Sequence, residues 1–176
     1  INACGGNEQF IKRLDTFFDN NHYNVANEPS FMTPYLYHWA DRPELSNERI
    51  RQIVADNYSD RPDGLPGNDD SGAMSSWLVW NMLGLYPVAG QNLYLVSSPL
   101  IKSYSIELPN GKILRADAKG YRWNTNFITH EDILKGRTLH LPIHDIVAKS
   151  PKVKETENKQ IFKMSPSETT HLCRFI

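Results

Sequence analysis

The feature that most constrains this chain is the run AMSSWLVWNML at residues 73–83. Ala73, Met74, Trp77, Leu78, Trp80, Asn81 and Leu83 leave almost no polar face before Gly84 and then Pro87 end the helical pattern. A helix that is apolar nearly all round has to be covered nearly all round. It therefore belongs inside a larger helical body, and the chain offers three other helix patterns to cover it. In the first, Phe10, Ile11, Leu14, Phe17 and Phe18 form one stripe opposite Lys12, Arg13 and Asp15. The second spans 33–40, with Pro34 in its first turn and Tyr35, Leu36 and Trp39 at helical spacing, which makes those three plain core candidates. The third follows Ser46 as N-cap and places Ile50, Ile53, Val54 and Asn57 on one side, opposite Glu48, Arg49, Arg51 and Gln52.

After Pro87 the period changes from helical to two. Leu93 and Leu95, then Tyr104, Ile106 and Leu108, alternate with other residues, and Pro109-Asn110-Gly111 supplies the Asn-Gly pair of a tight hairpin with a return strand over 112–118. Further strands are expected over 122–129 and 137–143, with His130-Glu131-Asp132 as a polar turn between them. From about Lys149 the periodicity is lost and the sequence reads as a tail. The expected fold class is α+β: a helical part over 1–88, an antiparallel β region over 89–148 packed on it, and a C-terminal extension over 149–176.

A composition of 40% hydrophobic and 22% charged residues is that of a folded globular protein. The net charge of -1, with scattered basic residues, supplies no field for the phosphates of nucleic acid. No apolar run reaches the roughly 20 residues that cross a bilayer, and the opening INACGGNEQF lacks the pattern of a signal peptide. Neither nucleic acid nor a membrane is expected as a partner. Cys4 and Cys173 could pair or stand as two free thiols. The triplet Asn57-Tyr58-Ser59 permits a secretory history, although a pattern this short also arises by chance. Compartment stays open, with an extracellular or secretory location the expectation.

Chemistry concentrates in two segments. In PDGLPGNDDSGAMSSW, residues 62–77, Gly64, Pro66, Gly67 and Gly72 punctuate a loop that bends sharply into the apolar helix, with Asn68, Asp69 and Asp70 at its mouth. Either Asp could simply cap the helix by accepting its orphan N–H groups. One cap needs only one side chain, however, and a second carboxylate beside a buried helix suits a general base or an oxygen ligand for a hard cation. The second segment is Asn27-Glu28-Pro29-Ser30, followed by the aromatic run to Trp39. Carboxylate, amide and aromatic rings together suit a sugar, whose faces stack on rings while its hydroxyls pair with Asp, Glu and Asn. The six His residues form no HExxH pair, and GxSxG elbows and phosphate loops are absent.

NEPSFMTPYLYHWADRP, then DGLPGNDDSGAMSSWLVWNMLGLYPVAG, YLVSSP, NGK and ITHEDILKG, together resemble the C-terminal portion of glycoside hydrolase family 92 over about residues 4–145. The resemblance implies a calcium-dependent, inverting exo-α-mannosidase built from a β-sandwich and an (α/α)6 barrel. This chain would hold the last barrel helices followed by antiparallel strands, and its partners would be a mannose-containing glycan and the remaining N-terminal part of the same enzyme. Carried over, Asp70 matches the general base, with Asp69 ranked second for that role. Asn27 and Glu28 match a pair that binds the terminal mannose, and Asn68 matches a position beside the attacking water. Phe31 and Met32 stand where many members carry His or Gln, a departure that bears on the Ca2+ site. The general acid, a Glu of an EGNAWQ-like motif, has no counterpart in these residues. The expectation is a chain that carries the base but not the acid and is inactive alone, with α-1,2-linked mannose as substrate of the whole enzyme. The alternative is a non-catalytic mannose-binding or structural fragment.

Overall fold

The structure is a computed structural model that describes residues 1–119 and 126–143. The expected tail from Lys149, the first part of the expected strand at 122–129, and Cys173 lie outside those residues. Cys4 is a free thiol among the described residues.

Helix α1, Asn7–Asp19, turns Leu14 and Phe18 inward, with Phe10, Ile11 and Phe17 half-buried around them. They pack with Val25, Tyr37, Ile53 and Trp77, so four helical segments share one core. The segment Thr33–Ala40 is helical, but of the 3₁₀ type rather than α. Three residues per turn align positions i and i+3. Pro34, Tyr37 and Ala40 therefore form one buried row and Tyr35 and His38 a second. The third row is divided: Leu36 is half-buried and packs against the α1 core, whereas Trp39 is 42% exposed. Grouping Trp39 with Tyr35 and Leu36 as core assumed a 3.6-residue turn, and the tighter winding overturns it for Trp39.

Helix α2, Pro43–Asn57, begins three residues before the expected Ser46 cap, because Pro43 takes the first-turn position. Ser46 lies inside the helix, fully buried, with its hydroxyl 2.9 Å from His38 Nδ1. The Val96 carbonyl, 3.0 Å from His38 Nε2, can only accept, so Nε2 carries a proton; burial favours the neutral ring, in which Nδ1 accepts from the Ser46 hydroxyl. Asn47 of the same face accepts the Ser98 N–H at 2.9 Å. The α2 face thus ties the helices to the strand region.

Helix α3, Ala73–Leu83, is the apolar segment. Met74, Trp77 and Asn81 are buried within the described residues, and Leu78, Val79, Trp80 and Met82 remain half-covered. Asn81 donates to the Trp77 carbonyl at 2.7 Å and accepts the hydroxyl of Tyr35. The helix stops at Gly84, whose φ is +70°. A Cβ there would lie 2.7 Å from the Ser97 carbonyl oxygen and 2.9 Å from Pro99 N, both backbone, so only glycine lets the chain turn beneath those residues.

Two three-stranded sheets follow. In the first, β1 (Leu85–Pro87), β2 (Tyr94–Val96) and β5 (Phe127–Ile128) pair antiparallel. Strand β1 was not expected, because Pro87 read only as a stop signal; it is an edge strand, where a missing N–H is tolerated. All three residues of β2 are buried, so this central strand does not alternate inside and outside. In the second sheet, β3 (Ser103–Glu107) and β4 (Ile113–Ala118) form the expected hairpin around Asn110-Gly111, where Gly111 has φ +77°. Strand β6 (Thr138–Leu141) pairs with β4 in parallel, which corrects the expectation of an all-antiparallel region. Between β5 and β6 the expected polar turn is a short helix, α4 (His130–Leu134). Thr129 caps it by accepting the Asp132 N–H at 3.2 Å, while Asp132 accepts the Thr129 N–H in return. Hydrogen bonds from Lys135, then Thr129, hold the Asp132 carboxyl down at about 2. The Thr-x-x-Asp pattern carried that signal in the sequence. Leu85, Val96, Leu114, Ile133, Leu139 and Leu141 close one apolar core between the two sheets. Tyr35, Ile50, Val88 and Leu95 join it to the helices.

Candidate active site

The loop before α3 is built on backbone geometry. Ser59 N–H donates to Gly64 O at 2.9 Å and Gly64 N–H to Arg61 O at 2.9 Å, closing a tight turn. The chain comes so close here that a Cβ on Gly64 would sit 2.0 Å from the Ser59 carbonyl oxygen. Beyond it Gly67, with φ +65°, lies against Ala26: a Cβ on Gly67 would be 3.1 Å from the Ala26 Cβ. Two segments separated by forty positions in the chain are thereby brought together, one carrying Asn68, Asp69 and Asp70, the other Asn27 and Glu28.

The 27–31 segment is fixed from below. Asn24 Oδ1 accepts the Ala26 N–H at 3.0 Å, Asn27 is extended, and Glu28–Ser30 forms one 3₁₀ turn with Ser30 N–H on Asn27 O at 2.9 Å. Trp77 of α3 donates its indole N–H to the Phe31 carbonyl at 3.2 Å and packs against the Phe31 ring, the centroids 6.2 Å apart. The other face of the Trp77 support is Tyr58, stacked at 5.9 Å with planes only 14° apart, its hydroxyl donating to Met74 O at 3.2 Å. Burial, then the charge of Asp69, pushes the Tyr58 hydroxyl well up, so it stays a donor. The helix that carries the Asp loop therefore also pins the turn that carries Glu28.

The three residues Asp69, Asp70 and Ser71 all have positive φ, at 60°, 42° and 59°. Non-glycine residues in this region cost about 1–3 kcal/mol each and persist only where surrounding contacts determine them. The main such contact is Asp69. Its Oδ1 accepts both the Ser75 N–H at 2.9 Å and the Ser75 hydroxyl at 2.5 Å, and its carbonyl accepts the Gly72 N–H at 3.0 Å. Ser75 is the third residue of α3, so Asp69 performs the work of a cap although it lies three residues before the N-cap Gly72. Ser75 escaped the sequence reading, since a carboxylate six residues ahead of it is not an ordinary capping spacing. Asp70 has no side-chain hydrogen bond or ion pair among the described residues and is exposed, as are Asn27, Glu28 and Asn68; Asp69 is half-buried. The site is an open rim. Two surface concavities lie elsewhere, one along α1 beside Cys4, Lys12 and His22, the other between Ile1, Phe10, Leu36 and Trp39. No group of three His, Cys, Asp or Glu side chains among the described residues converges as a metal centre would require.

Residues 1–145 match the model of the glycosyl hydrolase family 92 catalytic domain. The chain belongs to glycosyl hydrolase family 92. An uncharacterized secreted glycosidase of Arthroderma benhamiae is 39% identical over 161 residues, a match covering 81% of this family 92 chain and 21% of that protein. Among solved structures, the family GH92 α-mannosidase BT3965 from Bacteroides thetaiotaomicron in complex with mannoimidazole superposes with a TM-score of 0.71 at 30% identity, covering 79% of this chain and 22% of that one. The family GH92 inverting mannosidase BT2199 from the same bacterium, at 24% identity and TM-score 0.67, shares the fold. The described helices and small mixed sheets are thus those of family 92 structures, and the chain spans about a fifth of the length of the relatives it matches.

Proposed function

We propose that the protein to which this chain belongs is an inverting exo-α-mannosidase that removes terminal α-1,2-linked mannose from glycans, and that Asp70 is its general base. The carrying observation is the division of labour between neighbouring aspartates. Asp69 meets the helix N–H and the Ser75 hydroxyl, which leaves the Asp70 carboxylate unengaged among the described residues on the rim that Gly67 and Ala26 bring up to Asn27 and Glu28. In this reading Asp70 takes a proton from the water that attacks the anomeric carbon, the Asn68 amide holds that water, and Asn27 and Glu28 hold the mannose hydroxyls. Inversion also requires an acid roughly 6.5–9.5 Å from the base across the glycosidic bond. That group comes from outside this chain, as do further helices of the (α/α)6 barrel, which would cover the half-covered side of α3. Among the described residues no group of three His, Cys, Asp or Glu side chains comes together, and no step here passes through Ca2+. A secreted location belongs to this reading, supported by the fungal relative called a secreted glycosidase; no helix among the described residues is long and apolar enough to cross a membrane.

The test is Asp70→Asn in the full-length protein, assayed on an α-1,2-linked mannobiose. Removing a general base should lower kcat on the order of 10²–10⁴-fold while leaving the fold intact. Near-normal kcat would take the role away from Asp70. Turnover by this chain alone would overturn the claim that the acid lies elsewhere.

A further inference from the structure

The geometry points to Asn57 as the attachment point of an N-linked oligosaccharide, an inference that rests on the secretory location proposed above. Asn57-Tyr58-Ser59 has the acceptor pattern, with a residue other than proline in the middle. Chance could supply the pattern, but the structure adds four observations about where it falls. Asn57 is the last residue of α2 and is exposed, and the chain leaves the helix there, Tyr58 being extended with φ -121° and ψ 143°. Residues 55–57 and 59–63 are all exposed and mostly polar, Asp56, Ser59, Asp60, Arg61 and Asp63 among them, so the triplet stands on a solvated shoulder. The Asn57 amide nitrogen donates to the Ile53 carbonyl at 2.9 Å. That nitrogen carries two hydrogens and the bond uses one, so replacing the other by a sugar keeps the contact. Tyr58, meanwhile, turns its ring inward onto Trp77, which leaves Asn57 facing out beside it.

The transfer is a substitution at the anomeric carbon of a lipid-linked oligosaccharyl diphosphate in the secretory pathway. The C–N bond to Nδ2 forms, the C–O bond to the diphosphate breaks, the diphosphate leaves with the electron pair, and one Nδ2 proton passes to a base of the transferase. No oxidant or reductant is involved. Because transfer precedes folding, the folded structure decides whether the product is tolerated, and a solvated helix end tolerates it.

The experiment takes the full-length protein recovered from the medium of a eukaryotic secretory host and treats it with peptide-N-glycosidase in heavy-oxygen water. The expected result is a loss of mass on gels and a labelled Asp at position 57 in the peptide map. Ser59→Ala should abolish both while keeping the Asn57 amide and its bond to Ile53, and Ser59→Thr should restore them. Asn57→Gln serves as the direct variant, with Ser59→Ala carrying the test should it fold poorly. Unmodified Asn57 in protein that has reached the medium overturns the inference and leaves the secretory reading standing. Retention of the protein inside its own organism's cells would instead remove the reading on which the inference rests.

Discussion

Replacing Asp69 by Ala removes the acceptor of two Ser75 bonds and should do more damage than the loss of an exposed charge. A hydrogen bond to a charged group contributes about 1.5–3 kcal/mol and an N-cap side chain about 0.5–2 kcal/mol. Since both bonds end on one oxygen and share a donor residue, they do not add fully, and a loss of about 2–3 kcal/mol is expected. The three consecutive positive-φ residues raise the stakes, because relaxation of Asp69, Asp70 and Ser71 releases strain of about 1–3 kcal/mol each once the anchor is gone. The loop should therefore rearrange locally rather than unfold the protein. Hydrogen exchange of a peptide spanning residues 68–80 is the direct assay: the Ser75 amide should lose roughly 30- to 150-fold of its protection, the free-energy loss converted at about 1.4 kcal/mol per tenfold. The kcat of the full-length protein should fall with it as Asp70 leaves its position. Asp69→Asn, which keeps one acceptor oxygen, should retain more of both. Unchanged exchange at Ser75 in Asp69→Ala would refute the anchoring argument. An Asp69→Asn protein with normal exchange but as little activity as Asp70→Asn would make Asp69 a participant in the chemistry.

Three further outcomes follow from the packing. Gly67→Val should raise KM and lower the thermal midpoint, since its side chain enters the 3.1 Å contact with Ala26, whereas Gly90→Val, at a similar φ of +75° in open space, should show the backbone cost alone; equal effects on KM would dissolve the link between the two loops. Tyr35→Phe leaves the Oδ1 of Asn81, itself 1% exposed, without its donor and should cost about 1–3 kcal/mol by denaturant titration, with no measurable loss counting against the bond. His38 is held below its ordinary value of 6.5, chiefly by burial. Below about pH 6.5 the unfolded chain gains a proton that the folded one resists, so stability should be flat above that pH and fall beneath it, at most about 1.4 kcal/mol per pH unit. His38→Gln should flatten the profile between pH 7 and pH 5, and an unaltered slope would assign it to other groups.

Much of the candidate site was legible from residue types, because glycines, prolines and short polar side chains punctuate a loop wherever they fall. Gly67 and Gly72 marked the bends, and both adopt positive φ. The hairpin at Asn110-Gly111 was legible for the same reason. What was not legible was that Asp69 is the aspartate that anchors the start of α3. That choice turns on a hydroxyl six residues along and on a run of left-handed backbone, and neither leaves a local signature. The 3₁₀ winding of Thr33–Ala40 was equally hidden: the same apolar residues suit either helix, and contacts with α1 and α2 select the tighter one that sends Trp39 outward.

The order of the residues alone determined that a greasy helix, an Asp-rich loop and a Glu-bearing turn exist, since period and chain-breaking residues act over a few neighbours. Only the folded arrangement decided that Gly67 touches Ala26, that Trp77 holds the Glu28 turn, and that β6 runs parallel to β4. Those are contacts between distant parts of the chain, chosen by what each surface can bury against, and short-range pattern holds no record of them.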